Sequence, residues 1–394
     1  MHEDVAARVA RVSSAWASCD KSSSRGSDLP AGQSPAGRSD VTVAQPRRLT
    51  EKNAEPKNVF NVEYPVMDAH QDVIKQMEGF VEEQLTWLNP IKKSWQPSDV
   101  LPALTTGEWH KEVQQLRAGA AGLTDEILVV LVGDTITEEA LPSYQSMTNR
   151  HEGITDQTGA SDHPWARWTR GWTAEEHRHG VLLNTYLYLS GRVDMHAVEV
   201  TTQHLIRNGF DPKTANDPYK GLIYTSFQER ATRISHGNVA RLANKSGDTT
   251  LAKMCSLVAG DEARHEEAYK RFVGKLFELD PEGAVVACAH MMKTTVTMPA
   301  QLMSDGGTQD LFRQFAAVAQ RVGVYTALDY AQIIEHLVEY WNVPHLAKLR
   351  GQAAEAQEYL CGAAQRYHQF AERVAARLTR QPKVVFSWLF GRAA

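Results

Sequence analysis

Two short stretches each set a carboxylate and an imidazole one helical turn apart: Glu-Glu-His-Arg-His at 175–179 and Asp-Glu-Ala-Arg-His at 261–265. Glu176 precedes His179 by three residues, and Glu262 precedes His265 by three. On an α-helix, residues so spaced share a face. The second pair falls on the apolar stripe Leu251, Cys255, Val258, Glu262, His265, Tyr269, Phe272 and Leu276. Its steps alternate four and three, as a buried helix face requires. The first pair interrupts the stripe Trp165, Trp168, Trp172, Leu183 in the same way. An ionised carboxylate on a buried stripe is strongly unfavourable unless a cation neutralises it, and a metal ion can. A chain with two such pairs must bring two helix faces together around one polar centre.

Two more helical segments offer buried carboxylates. Glu138 lies on a stripe with Leu131, Asp134 and Leu141, and Glu229 lies within Thr225–Thr232. Four helices then supply four carboxylates and two imidazoles, the ligand set of four-helix di-iron carboxylate proteins. Oxygen and imidazole ligands with open positions suit iron, leave manganese open, and exceed the four ligands usual for zinc. Glu175 and Asp261 each stand four residues before a ligand His. Each is placed to accept the second ring N–H of a ligating imidazole, on its own helix or the opposite one. Arg178 and Arg264 occupy matching places and offset the negative charge. One Glu-x-x-His arises by chance as a solvated pair; two, on apolar stripes with the same flanking residues, do not.

The remaining pattern is helical. Periods of 3.6 predict helices near 66–87, 124–148, 164–189, 195–207, 221–244, 249–277, 282–303, 310–319, 324–342 and 352–379. Strand signals are confined to the run Val129–Val132. Ser161 and Asp248 are expected N-caps, Gly191 and Gly209 expected stops, and Pro142 an expected bend. The fold class is therefore all-α: a ferritin-like four-helix core with additional surrounding helices, one large domain over 59–394. Residues 1–58 are rich in Ser, Ala, Arg, Pro and Gly without a period and read as a disordered leader. Such a leader could be a transit peptide, although Glu3 and Asp4 depart from the acid-poor pattern. The net charge of −5 gives no sign of nucleic-acid binding. No apolar run approaches the roughly 20 residues of a membrane span. The four cysteines at 19, 255, 288 and 361 lack zinc or redox spacing, and Cys255 reads as a core residue.

Longer stretches carry a resemblance. WQPSD (95–99), VVLVGDTITEEALPSYQ (129–145), WTRGWTAEEHRHG (168–180), YTSFQERAT (224–232), DEARHEEAY (261–269) and VAQRVGVYTALDYA (318–331) resemble the soluble plant-type acyl-acyl-carrier-protein (acyl-ACP) desaturases. The likeness runs from about residue 63 to the C-terminus. It implies two irons per chain held by Glu138, Glu176, His179, Glu229, Glu262 and His265. It also implies a catalytic role for Thr232 beside the dioxygen side of the cluster, and an electron route near Trp95. The family acts as a homodimer in the plastid stroma, takes electrons from ferredoxin, and inserts a cis double bond into a saturated C16 or C18 chain on acyl carrier protein. Trp165, Trp168, Trp172, Met147, Phe227 and Tyr224, large side chains near the motifs, are candidates for the wall of an acyl tunnel, with plain core packing the expectation for most of them. Lys92 and Lys93 are candidates for contact with the acidic carrier protein. His177 stands where the family has Asn and is expected to point to the flank. His151 stands where small or apolar residues line the tunnel; it would alter chain-length preference or face solvent, and solvent is the expectation here. The alternatives are a ferritin-like iron-binding protein, a radical-generating subunit using Tyr144 or Tyr269, and an inactive lipid-binding scaffold. Retention of all six ligand positions weighs against the last.

Overall fold

The computed structural model describes residues 68–294, 296–378 and 383–394. The expected leader over 1–58 lies outside them, and the described residues fall within one compact unit, Val62–Ala394. In chain order the helices are α1 (Asp68–Gln76), α2 (Glu78–Gln84), α3 (Trp109–Ala121), α4 (Asp125–Glu139), α5 (Leu141–Thr148), α6 (Pro164–Ser190) and α7 (Met195–Asn208). There follow α8 (Pro218–Lys245), α9 (Thr249–Leu279), α10 (Pro281–Lys293), α11 (Leu311–Val322), α12 (Ala327–Tyr340), α13 (Gly351–Cys361) and α14 (Ala363–Leu378). No strand forms among the described residues; Val129–Val132, the one ambiguous run, is buried inside α4.

α4, α6, α8 and α9 form a four-helix bundle, and their sequences divide its core into two apolar packs. Trp165, Trp168 and Trp172 of α6 join Tyr219–Phe227 of α8 and Ala268–Phe277 of α9 in one pack. Leu182–Leu187 of α6 join Val239 and Ala243 of α8, Leu251–Val258 of α9 and Leu128–Ile136 of α4 in the other. α6 and α8 pass from the first pack to the second; α4 and α9 run the opposite way. Between the packs, each helix contributes a buried polar band: Glu138, Glu176 with His179, Glu229, and Glu262 with His265. The two Glu/His stripes are buried at every position read from the sequence.

Several boundaries differ from expectation, each for a local reason. The 124–148 segment does not merely bend at Pro142 but breaks at Ala140, and Pro142 enters the first turn of α5, where its missing N–H is harmless. The Tyr144 hydroxyl donates to the Thr137 carbonyl across the break, at 2.9 Å. Ser161 is not the cap of α6; the His163 side chain accepts from Ala166 N. Asp248 caps α9 as expected, and Gly191 ends α6 at φ +64°, a left-handed position that favours glycine. α10 stops at Lys293, ten residues before the expected end. The β-branched Val296 and Thr297 and then Pro299 keep the chain out of helix beyond it. The 66–87 segment divides at Met77 and the 352–379 segment at Gly362. α3 is absent from the sequence prediction because only Val113, Leu116 and Ala120 of its residues are buried, too few to mark a stripe.

Candidate metal centre

Six side chains from four helices converge in the polar band, and none is more than 7% exposed. They form two groups: Glu138, Glu176, His179 and Glu262; and Glu176, Glu229, Glu262 and His265. Within each group one ligand-type atom per residue lies within 4.8 Å of the others, so each group could hold a metal ion. Glu176 and Glu262 belong to both. In the first group, His179 Nδ1 stands 3.6 Å from Glu138, 3.1 Å from Glu176 and 3.5 Å from Glu262. In the second, His265 Nδ1 stands 2.8 Å from Glu176, 3.5 Å from Glu229 and 3.8 Å from Glu262. Two ions could thus be held side by side, with Glu176 and Glu262 common to both groups and one Glu/His pair belonging to each group alone.

The donor set itself fits a pair of cations. Glu176 Oε1 and His265 Nδ1 lie 2.8 Å apart yet neither has a hydrogen-bond partner. A buried carboxylate oxygen and imidazole nitrogen this close, with no hydrogen bond made by either, are free to act as a ligand pair for one cation. Burial raises the Glu229 carboxyl well above its usual range, and the Glu262 and Glu176 charges add to the rise against the His265 hydrogen bond. Burial also opposes ionisation of Glu262, but hydrogen bonds from His179 and His265 hold it well below the usual range. Fully ionised, the four clustered carboxylates would carry four negative charges, which two divalent ions would neutralise.

The second ring nitrogens are paired crosswise. His179 Nε2 on α6 meets Asp261 on α9 at 3.3 Å, and His265 Nε2 on α9 meets Glu175 on α6 at 2.9 Å. Each imidazole is thus oriented by the acid of the opposite helix, a choice the sequence left open. Burial acts against ionisation of Asp261, yet bonds from His179 and Arg264 bring its pKa down to about 2. Arg178 donates to Asp261 at 2.7 Å and to the Trp95 carbonyl at 2.5 Å. Arg264 donates to Glu175 at 2.7 Å and to the Trp87 carbonyl at 2.5 Å. These arginines tie the centre to the segment between α2 and α3. The Trp95 ring there lies nearly parallel to His179, with centroids 6.0 Å apart.

One cavity reaches the centre, and a second, larger one shares part of its lining. The wide one, about 750 Å³, is lined by Val130, Val296, Phe312, Phe315 and Tyr330 together with polar residues that include Asp134, Ser235, Thr232 and Arg366. The narrow one, about 60 Å³, runs past Glu138, Glu176, Glu229 and Glu262 towards Met147, Thr148 and Tyr224. Thr137, Gln228, Thr232 and Pro299 border both. Of the candidate wall residues, Trp172, Met147 and Tyr224 line the narrow cavity, whereas Trp165, Trp168 and Phe227 pack in the core. Thr232 is half-buried at the junction, its hydroxyl donating to the Gln228 and Glu229 carbonyls.

His177 is exposed on the flank of α6, as expected. His151 is not in solvent: it is 3% exposed, and its Nε2 lies 3.2 Å from Thr214 Oγ1. Gly221 of α8 makes room for the ring, since a Cβ there would come within 2.3 Å of it. Lys92 and Lys93 are exposed. His236, which the sequence reading did not single out, is 1% exposed and contacts Glu138. Its signal was its place seven residues after Glu229, on the same helix face.

A family model described as fatty acid desaturase matches residues 69–390. The chain is 53% identical over 340 residues to the chloroplastic stearoyl-acyl-carrier-protein 9-desaturase 1 of Arabidopsis thaliana, covering 86% of each chain. It is 50% identical over 330 residues to an acyl-acyl-carrier-protein 6-desaturase of Thunbergia alata, covering 84% of this chain and 85% of that one. Among solved structures, a putative acyl-ACP desaturase, DesA2 of Mycobacterium tuberculosis H37Rv, superposes with a TM-score of 0.45 at 19% identity, covering 72% of this chain and 99% of that one.

Proposed function

The chain belongs to the fatty acid desaturase family, and from that premise we propose that it inserts a cis double bond into a saturated C16 or C18 acyl chain carried on acyl carrier protein. The observation that carries this reading is the pair of ligand groups sharing Glu176 and Glu262, opening onto a narrow cavity beside all four carboxylates. The reaction consumes one dioxygen, two electrons and two protons for each pair of hydrogens removed, and releases two waters. A methylene has no acidic proton and no leaving group, and two irons held by Glu138, Glu176, His179, Glu229, Glu262 and His265 would supply the oxidising power it needs.

The protein's own part is positioning and exclusion of water. The wide cavity takes the thioester end, and the narrow one threads the chain past the centre, so the depth of insertion sets which carbons lie beside it. Apolar walls at Met147, Trp172 and Tyr224 keep the methylenes dry. Thr232, at the junction, presents its hydroxyl on the side where oxygen and substrate meet. Electrons enter from reduced ferredoxin through the Trp95–His179 stack, and Lys92 and Lys93 contribute to docking of an acidic protein. The protein works as a homodimer in the plastid stroma, with residues 1–58 serving as the import leader and 59–394 as the catalytic domain. Oxygen consumption and product analysis with stearoyl- and palmitoyl-ACP, reduced ferredoxin and iron-loaded protein test the reading and give the bond position. Iron-loaded protein that consumes oxygen without altering any acyl chain would overturn it in favour of a store or scaffold.

A further inference from the structure

The two terminal carboxylates are held by ring N–H groups from outside the cluster. Trp172 Nε1 donates to Glu229 Oε1 at 3.0 Å, and His236 Nε2 lies 2.8 Å from Glu138 Oε1. In both residues the other oxygen, Oε2, is the one that faces the imidazole of its own group. Glu138 Oε2 lies 3.6 Å from His179 Nδ1, and Glu229 Oε2 lies 3.5 Å from His265 Nδ1. The two ends of the centre are therefore built alike, with one oxygen pinned outward and one turned inward.

The donors differ in kind. An indole N–H is a permanent donor, whereas an imidazole donates from Nε2 only when its proton sits there. The surroundings of His236 select that form. Its Nε2 meets a carboxylate, a strong acceptor, whereas its buried Nδ1 has no hydrogen-bond partner to compete for the proton. His236 is 1% exposed, so solvent does not compete.

We propose that His236 is a positioning residue for the metal centre: its Nε2–H fixes Oε1 of Glu138 so that Oε2 is presented to the ion shared with His179, the role Trp172 plays for Glu229. The proposal rests on the two-metal reading of the site. Removing such an outer partner typically weakens metal binding 10- to 100-fold. The test is titration of metal-free full-length protein with cobalt(II), followed by visible absorption, for wild type, H236L, H236Q and W172F. Wild type should take up two equivalents. H236L should hold one of them about 10- to 100-fold more weakly, with an altered band for that ion only. H236Q, whose amide N–H can replace the ring donor, should restore both. W172F should weaken the other equivalent.

H236L titrating like wild type, or H236Q failing as H236L does, would overturn the proposal. Should H236L not fold by far-ultraviolet circular dichroism, H236Q decides alone: two wild-type equivalents support the donor role and loss of one refutes it. Wild type binding fewer than two equivalents would refute the two-metal reading and the proposal with it. Two wild-type equivalents with an unchanged H236L spectrum would refute only the role of His236.

Discussion

His151 makes the fold sensitive to mild acid in a way that can be isolated. Burial among α5, α8 and the 212–217 loop, with Arg150 nearby and Asp217 opposing, lowers its pKa to about 4 from an ordinary 6.5. The folded pKa lies below the unfolded one, so between the two the unfolded chain binds more protons and stability rises with pH. The contribution is fully present above about pH 6.5 and is lost as pH falls towards 4. The full difference amounts to about 3 kcal/mol, of which about 2 kcal/mol should already be lost at pH 5. His151→Leu removes the titration. At pH 8 the variant should be less stable than wild type by about 1–3 kcal/mol, because the buried Thr214 hydroxyl loses its partner. At pH 5 the comparison should move by about 2 kcal/mol in the variant's favour. Equilibrium urea unfolding of both proteins at the two pH values, in the same metal-loaded form, reads the change directly. All other titrating groups are common to the pair and cancel. A variant-minus-wild-type difference that is the same at pH 8 and pH 5 would refute the buried neutral imidazole.

Other outcomes follow from the packing and the shared ligands. Glu262→Gln should abolish tight binding of both metal equivalents, and Glu138→Gln of one, because Glu262 belongs to both ligand groups and Glu138 to one; metal analysis after gel filtration distinguishes them. Gly221→Ala puts a methyl group 2.3 Å from the His151 ring and should destabilise by about 1–3 kcal/mol. The same change made in His151→Ala should cost less, a coupling that a double-mutant cycle in urea would measure. Trp388 is fully buried and donates to Thr201 at 2.9 Å. Trp388→Ala should therefore lower stability by about 3–5 kcal/mol, seen in thermal and urea unfolding, while the metal stoichiometry of the folded protein stays unchanged.

The crosswise arrangement bears on how the centre is kept in shape. Each helix of the α6/α9 pair supplies one ligand pair and the acid that orients the other helix's imidazole, so a slip of either helix along its axis would break both second-nitrogen contacts together. Arg178 and Arg264 extend that coupling to the backbone at Trp95 and Trp87. The backbone at Trp95 and the ring of His179 are therefore parts of one hydrogen-bonded unit.

Spacing along a single helix was enough to single out both Glu/His pairs and the apolar stripes that carry them, because residues three and four apart share a face wherever the helix ends up. The all-helical class and the stops at Gly191 and Gly209 were legible for the same local reason. What no local pattern contains is the rotation and offset of one helix against another. Those decided that Asp261 serves His179 and Glu175 serves His265, that His236 reaches Glu138, and that the missing side chain of Gly221 opens a buried place for His151. α3 escaped notice because its buried face is short, only Val113, Leu116 and Ala120 among polar neighbours.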